Sequence, residues 1–191
     1  MALDAGINIM PSELRTYDGV THFLTQRFDR LGNEKIHIQT LAAMSPASNS
    51  YEDIFLTIRR LNLTYQDYEQ QYLRTVFNII ARNVDDHNKN FSFCMNRNGE
   101  WRLSPAYDLT YSVAQTAPAY SNRHSLTVNG KNEDITRDDL EKIGKNNDIQ
   151  DYSTLIDQVI NAVSNFENYA KELNINKHFI TKIKNDLKLK N

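Results

Sequence analysis

Cysteine occurs once in the 191 residues, at Cys94, so no internal disulfide or multi-thiolate metal site can form and the fold must be held by its core. That suits a reducing compartment better than secretion. Glycine is also scarce: Gly6, Gly19, Gly32, Gly99, Gly130 and Gly144 are always separated by a dozen or more residues. A Walker A loop and a dinucleotide fingerprint both need closely spaced glycines so that backbone amides can approach phosphate, and this set builds neither. If a nucleotide is handled, its phosphates must be gripped by side chains and metal, or by a glycine-bearing segment outside this sequence. No window approaches 18 uninterrupted apolar residues, and residues 1–6 have no basic stretch followed by an apolar one. The expectation is a soluble, cytoplasmic protein with no membrane partner. A large excess of either charge is missing too, with 22 Lys and Arg against 24 Asp and Glu, a net charge of −2. Broad electrostatic attachment to nucleic acid is therefore not expected.

What is present is an ordinary globular composition, 40% hydrophobic and 24% charged, which at this length makes one domain or a large lobe of something bigger. Residues 1–7 read as the end of a helix. Residues 12–17 and 21–28 read as strands of a hairpin about Asp18-Gly19. Past Arg30 the spacing of Ile38, Leu41 and Ala42 predicts a helix, broken by residues 45–50, and a second helix follows over residues 51–61. Thr64 to Asp67 resembles a capping box, with Leu63 placed to staple Tyr68, and opens a helix running to about Arg82. Its apolar positions Tyr72, Leu73, Val76, Phe77 and Ile80 form one buried stripe, which makes it the expected central helix. Asn98-Gly99 joins two short strands. Beyond these, Thr136 to Asp139 suggests another cap, residues 152–173 one long helix, residues 179–187 a last one, and residues 114–122 a flexible loop. Helices with two small hairpins give an α+β class.

The segment Val84-Asp85-Asp86-His87-Asn88-Lys89-Asn90 places two carboxylates, an imidazole, an amine and two amides directly after the most apolar helix. If Asn98-Gly99 is a two-residue turn, Arg97 faces Glu100, and counting outward sets Asn90 opposite Tyr107, next to Asp108. Pro105 ends regular pairing before that point, but the chain has little room to diverge. Asn90 and Asp108 are thus expected to meet at the open end of the hairpin. Hard oxygen ligands of this kind suit magnesium, which commonly takes one or two protein ligands together with water and substrate phosphates. An aspartate five residues before an asparagine, then a hairpin and a further aspartate, is also the order of a protein-kinase catalytic loop and metal aspartate.

Residues 77–91, Phe-Asn-Ile-Ile-Ala-Arg-Asn-Val-Asp-Asp-His-Asn-Lys-Asn-Phe, followed by Trp101 to Asp108, Trp-Arg-Leu-Ser-Pro-Ala-Tyr-Asp, resemble the signature of HipA-type serine/threonine kinases, the toxins of bacterial toxin–antitoxin systems. Residues 23–30 resemble their hinge strand. The resemblance runs over nearly the whole chain in consistent order. It implies a mainly helical, kinase-like C-terminal lobe with small hairpins, in which residues 1–30 are the end of an N-lobe helix plus the hinge hairpin and residues 31–191 the helical lobe. It further implies Asp85 as the catalytic aspartate, with His87 close to phosphate, Asn90 and Asp108 as Mg2+ ligands, and the strand at Gln26 to Phe28 as the adenine-contacting hinge for ATP. The implied substrate is a serine or threonine of a translation enzyme such as an aminoacyl-tRNA synthetase. The implied partners are a DNA-binding antitoxin, with DNA contact only indirect, and an amino-terminal lobe bearing the phosphate-covering loop.

Asp86 and Asn88 read as solvated loop positions, and Lys89 as either a phosphate contact or a balance for the two aspartates. His22, His37, His124 and His178 lack metal-ligand spacing and are assigned structural or surface roles. The lysines from Lys177 to Lys190 read as a solvated helical face. Two rivals stand beside the kinase: a truncated, non-catalytic antitoxin-binding module, and a metal-dependent phosphohydrolase using the same carboxylates.

Overall fold

The computed structural model describes residues 1–113 and 122–189, so all but the last position of the expected loop at 114–122 lies outside the described residues. The chain begins in a single helical turn, in which Ala5 N–H donates to the Met1 carbonyl and Ile7 N–H to that of Ala2, and Gly6 ends it at a φ of 77°. Two strands follow, β1 (Ser12–Tyr17) and β2 (Val20–Thr25), paired antiparallel with Tyr17 opposite Val20. Asp18 and Gly19 both take positive φ, as a tight two-residue turn requires. The second strand begins and ends earlier than residues 21–28.

A small ladder, β3 (Arg30–Leu31) with β4 (Glu34–Lys35), leads into β5 (His37–Thr40) and the one-turn α1 (Leu41–Met44). The helix expected around Ile38 is therefore mostly strand. Ile38 pairs with Cys94 of β6 (Ser92–Met95), which pairs in turn with β7 (Trp101–Leu103), giving a three-stranded sheet instead of a lone hairpin. A short apolar run near helical spacing is ambiguous by itself, and the available strand partner resolves it.

The helices begin at polar caps. Ser50 and Asp53 box the start of α2 (Tyr51–Arg60), and Thr136 and Asp139 that of α4 (Arg137–Asn146). At α3 (Tyr65–Ile80) one Asp67 oxygen accepts from Thr64 N–H and Oγ1 at 3.0 and 2.7 Å, while the other takes Leu103 N–H at 3.1 Å and so pins β7 to the helix. All residues of α3 from Gln71 to Ile80 are buried, as expected of the central helix. The long helix expected over residues 152–173 is divided at Asn165 into α5 (Tyr152–Ser164) and α6 (Phe166–Glu172), and α7 (Lys177–Asp186) closes the fold.

Where α4 crosses toward α5, Gly144 makes room for an aromatic ring. A Cβ there would stand 2.8 Å from Tyr152 Cβ and 3.1 Å from Tyr72 Oη, and that hydroxyl already donates to the Leu140 carbonyl at 3.0 Å. Gly144→Ala gains about 1 kcal/mol of helix propensity but forces this contact apart, and overpacking of this kind costs roughly 1–3 kcal/mol. The expected net result is a lower midpoint in urea; a raised midpoint would contradict the packing described.

Candidate active site

The site begins where α3 stops. Ala81 closes the helix, Arg82 takes a φ of 59°, and Asn83 N–H returns to the Asn78 carbonyl at 2.9 Å. Glycine usually occupies this left-handed position; a residue with a Cβ carries strain of order 1 kcal/mol there. The Arg82 guanidinium donates to the Asn122 carbonyl at 3.2 Å, and the turn throws residues 83–90 off the helix axis.

Along this extended stretch Asp85 and Asp86 face opposite ways. Asp86 is 0% exposed and accepts four hydrogen bonds: Tyr51 Oη at 2.5 Å, His124 Nδ1 at 2.8 Å, and the backbone N–H groups of Ser125 and Leu126 at 2.7 and 3.4 Å. Asn78 Nδ2 donates to the same tyrosine hydroxyl at 3.1 Å. Burial, reinforced by the neighbouring Asp86 carboxylate, pushes the Tyr51 phenol well above its ordinary value and keeps it a donor. Asp86 is therefore not the solvated position that its type suggested, because donors remote in sequence converge on it. Asn88 is likewise half-buried, with Nδ2 donating to the Ser48 carbonyl at 3.0 Å. His124, expected in a structural or surface role, is buried against Asp86.

Asp85 faces outward and is exposed. Its backbone is held on both sides: the N–H donates to Ser112 Oγ at 3.0 Å and the carbonyl accepts Asn90 Nδ2 at 3.0 Å. The Asp85 carboxylate has no hydrogen bond or ion pair among the described residues, and neither has that of Asp108. The Asn90 nitrogen is engaged by Asp85, and its amide oxygen has no hydrogen bond among the described residues. Asp108, exposed and at a φ of 55°, is fixed through its carbonyl, which accepts Asn83 Nδ2 at 3.0 Å. The Asn83 amide also donates to Asn78 Oδ1 at 3.1 Å and accepts Ser112 Oγ–H at 3.2 Å.

The turn between β6 and β7 is one residue longer than expected. Asn96 N–H donates to the Glu100 carbonyl, Gly99 takes a φ of 81°, and Cys94 stands opposite Arg102. Counting in this register sets Asn90 against Ala106 instead of Tyr107, and a one-residue shift exchanges the faces of a strand. The two ends are nevertheless joined. Ser104 N–H gives a last bond to the Ser92 carbonyl before Pro105, and Tyr107 Oη reaches the Lys89 carbonyl at 2.7 Å and Ser92 Oγ at 2.5 Å. Burial raises the Tyr107 phenol above its ordinary value. The fully buried Arg74 supports this side by donating to the Ser104 carbonyl at 2.6 Å, and burial pushes its guanidinium down to about 10.

Tyr107 also stacks on Phe28, with ring centroids 5.5 Å apart. The two line a cleft of about 490 Å3 together with Ile9, Phe23, Gln26 and Asp108. Gln26 and Phe28 are thereby placed beside Asp108, in a cleft with apolar walls and a few polar groups, the usual character of a small-molecule site. His87 lies half-buried on the loop; its carbonyl accepts Asn90 N–H at 2.9 Å and its ring Nδ1 is enclosed without a hydrogen-bond partner among the described residues.

Among the described residues no group of three or more His, Cys, Asp or Glu is placed to hold a metal ion. The oxygen donors that Asn90 and Asp108 offer are hard and few. They fit magnesium completed by water and phosphate, and not a metal caged by protein alone. Ser112, Asn83 and Tyr51 were not singled out from the sequence; nothing local to Ser112 marks it, whereas polar Asn78 and Asn83 at the end of an apolar helix were a usable signal.

A family model described as the HipA-like C-terminal domain matches residues 1–168. The chain is 25% identical over 130 residues to a Sinorhizobium fredii protein (strain NBRC 101917 / NGR234) named "Putative kinase Y4mE", covering 60% of this chain and 31% of the relative. Its fold is similar to that of a chain in the Shewanella oneidensis MR-1 toxin–antitoxin complex of HipA, HipB and operator DNA, with a TM-score of 0.73 at 15% identity over 96% of this chain and 51% of that one. It is also similar to the Helicobacter pylori proinflammatory kinase CtkA, with a TM-score of 0.52 at 12% identity over 83% of this chain and 78% of that one. These likenesses establish a kinase-like fold. The chain spans about a third of the curated relative and about half of the Shewanella chain.

Proposed function

This chain belongs to the HipA-like C-terminal domain family, and from that premise we propose that it is the catalytic C-terminal lobe of a protein serine/threonine kinase acting with ATP and Mg2+. The observation that carries the reading is the pair of uncommitted carboxylates, Asp85 and Asp108, whose backbones are linked through Ser112 and Asn83 beside the amide oxygen of Asn90. In this reading Asp85 orients the acceptor hydroxyl and takes its proton, Asn90 and Asp108 hold magnesium, and His87 contacts phosphate. The cation supplies charge neutralisation on the transferring phosphoryl group. Gln26 and Phe28 receive the adenine in the cleft against Tyr107.

Residues 1–30 then form the end of an N-lobe helix with the hinge, residues 31–191 form the C-lobe, and the phosphate-covering loop is supplied by an amino-terminal lobe. A DNA-binding antitoxin is the proposed partner, supported by the HipB and operator DNA that accompany HipA in the Shewanella complex. The proposed substrate is a translation enzyme such as an aminoacyl-tRNA synthetase, and the proposed setting is the cytoplasm. Among the described residues no helix is long and apolar enough to cross a membrane.

The test is transfer of labelled γ-phosphate to a candidate protein, with this chain alone and with a separately supplied amino-terminal lobe. Label on a serine or threonine in either arm supports the kinase. Inorganic phosphate without labelled protein in both arms would identify a phosphohydrolase, and neither product would favour the non-catalytic module. In parallel, Asp108→Asn is expected to weaken Mg2+–ATP binding by about tenfold or more, since a charged metal ligand becomes neutral. Titration calorimetry reads this directly, and unchanged affinity would remove Asp108 from the metal site.

A further inference from the structure

We propose that Ser112 is a positioning residue that sets where Asp85 stands relative to Asp108; this deepens the kinase reading and rests on it. The Asp85 carboxylate has no hydrogen bond or ion pair among the described residues to fix its direction, so its placement depends on its backbone. Both polar groups of that backbone are engaged, the N–H by Ser112 Oγ and the carbonyl by Asn90 Nδ2. The Ser112 hydroxyl acts twice at one atom, accepting from Asp85 N–H at 3.0 Å and donating to Asn83 Oδ1 at 3.2 Å. Only a group that is donor and acceptor together can do both. From Asn83 the path runs through Nδ2 to the Asp108 carbonyl at 3.0 Å. The residue that orients the acceptor hydroxyl and the residue that holds metal are thus joined by three successive hydrogen bonds, with Ser112 at the centre.

The surroundings of Ser112 keep it in place independently of its hydroxyl. Its N–H donates to the Arg82 carbonyl at 3.2 Å, and the adjacent Tyr111 hydroxyl donates to Asp186 at the end of α7. Lys188 N–H also returns to the Ile80 carbonyl at 3.0 Å, so the last residue of α7 ties down the segment that carries Ser112 and the residues after it tie down the end of α3. Ser112→Ala therefore removes the hydroxyl while leaving the backbone bridge and the Tyr111 tether.

In the full chain, with an amino-terminal lobe supplied if turnover needs one, Ser112→Ala is expected to lower kcat by about 10- to 100-fold, the penalty for a small misplacement of a reacting group. KM for Mg2+–ATP stays within about twofold, because the hinge cleft and Asn90 are untouched. Ser112→Thr, which keeps the hydroxyl, restores most of the rate. By NMR, the Asp85 amide exchanges with solvent about tenfold or more faster in Ser112→Ala than in the parent or Ser112→Thr, a readout that needs no turnover. Equal exchange in all three proteins, or a threonine variant as impaired as the alanine one, would overturn the proposal. Asp85→Asn run alongside separates the two levels: turnover retained there would overturn the kinase mechanism and the role of Ser112 with it, whereas turnover lost there but unchanged in Ser112→Ala would overturn the positioning role alone.

Discussion

Asp85→Asn is expected to lower the proposed phosphoryl transfer by about 10²- to 10⁴-fold while leaving Mg2+–ATP affinity within about twofold of the parent, the signature of a group that acts on the proton of the acceptor and not on the nucleotide. The asymmetry follows from the site. Among the described residues the hydrogen bonds of Asp85 are those of its backbone, to Ser112 and Asn90, and asparagine preserves both contacts. What disappears is the carboxylate proposed to receive the proton. Asp108→Asn produces the complementary result, with the loss falling in nucleotide affinity, so the two variants measured by calorimetry and by label transfer assign the two aspartates separately. Turnover within a factor of two in Asp85→Asn would end the proposed mechanism.

The second large effect falls on the neighbouring residue and on a different observable. Asp86→Ala removes the common acceptor of Tyr51, His124, Ser125 and Leu126, leaving the donors of the buried Tyr51, His124 and Leu126 without that acceptor. Breaking a buried charged network at one partner costs about 3–5 kcal/mol, a large fraction of the roughly 5–15 kcal/mol that holds a domain together. The expected result is a strongly lowered midpoint in urea, with loss of the native fluorescence of Trp101 at low denaturant. Tyr51→Phe, which deletes one donor to Asp86 and the acceptor of Asn78 Nδ2 while leaving the other three donors to Asp86 in place, is expected to lose about 1.5–3 kcal/mol. An Asp86→Ala protein within about 1 kcal/mol of the parent would show that the network is not what anchors the loop.

These adjacent aspartates show how far residue type and spacing can be read. The capping boxes at Thr64 and Thr136, the apolar stripe of α3 and the Asp18-Gly19 turn are local signals, fixed by groups within a few residues of each other, and the structure repeats them. The strand at Ile38 is not local. Ile38 is drawn into a ladder by Cys94, more than fifty positions away, and isolated periodicity had favoured a helix there. The register of β6 and β7 lies one residue from that of a two-residue turn because Asn-Gly also ends a three-residue loop when glycine takes the left-handed position, here at a φ of 81°.

The sequence by itself determined the ingredients of this protein: the α+β class, the central helix, the order of Asp85, Asn90 and Asp108, and the absence of any closely spaced glycines to cradle phosphate. Only the tertiary structure decided which of two adjacent carboxylates faces solvent and which is buried, and that Ser112 and Asn83 connect the outward one to Asp108. The reason is physical. Side-chain direction along an extended segment depends on which remote donors can reach a buried oxygen, and those of Asp86 come from residues 35 to 40 positions away.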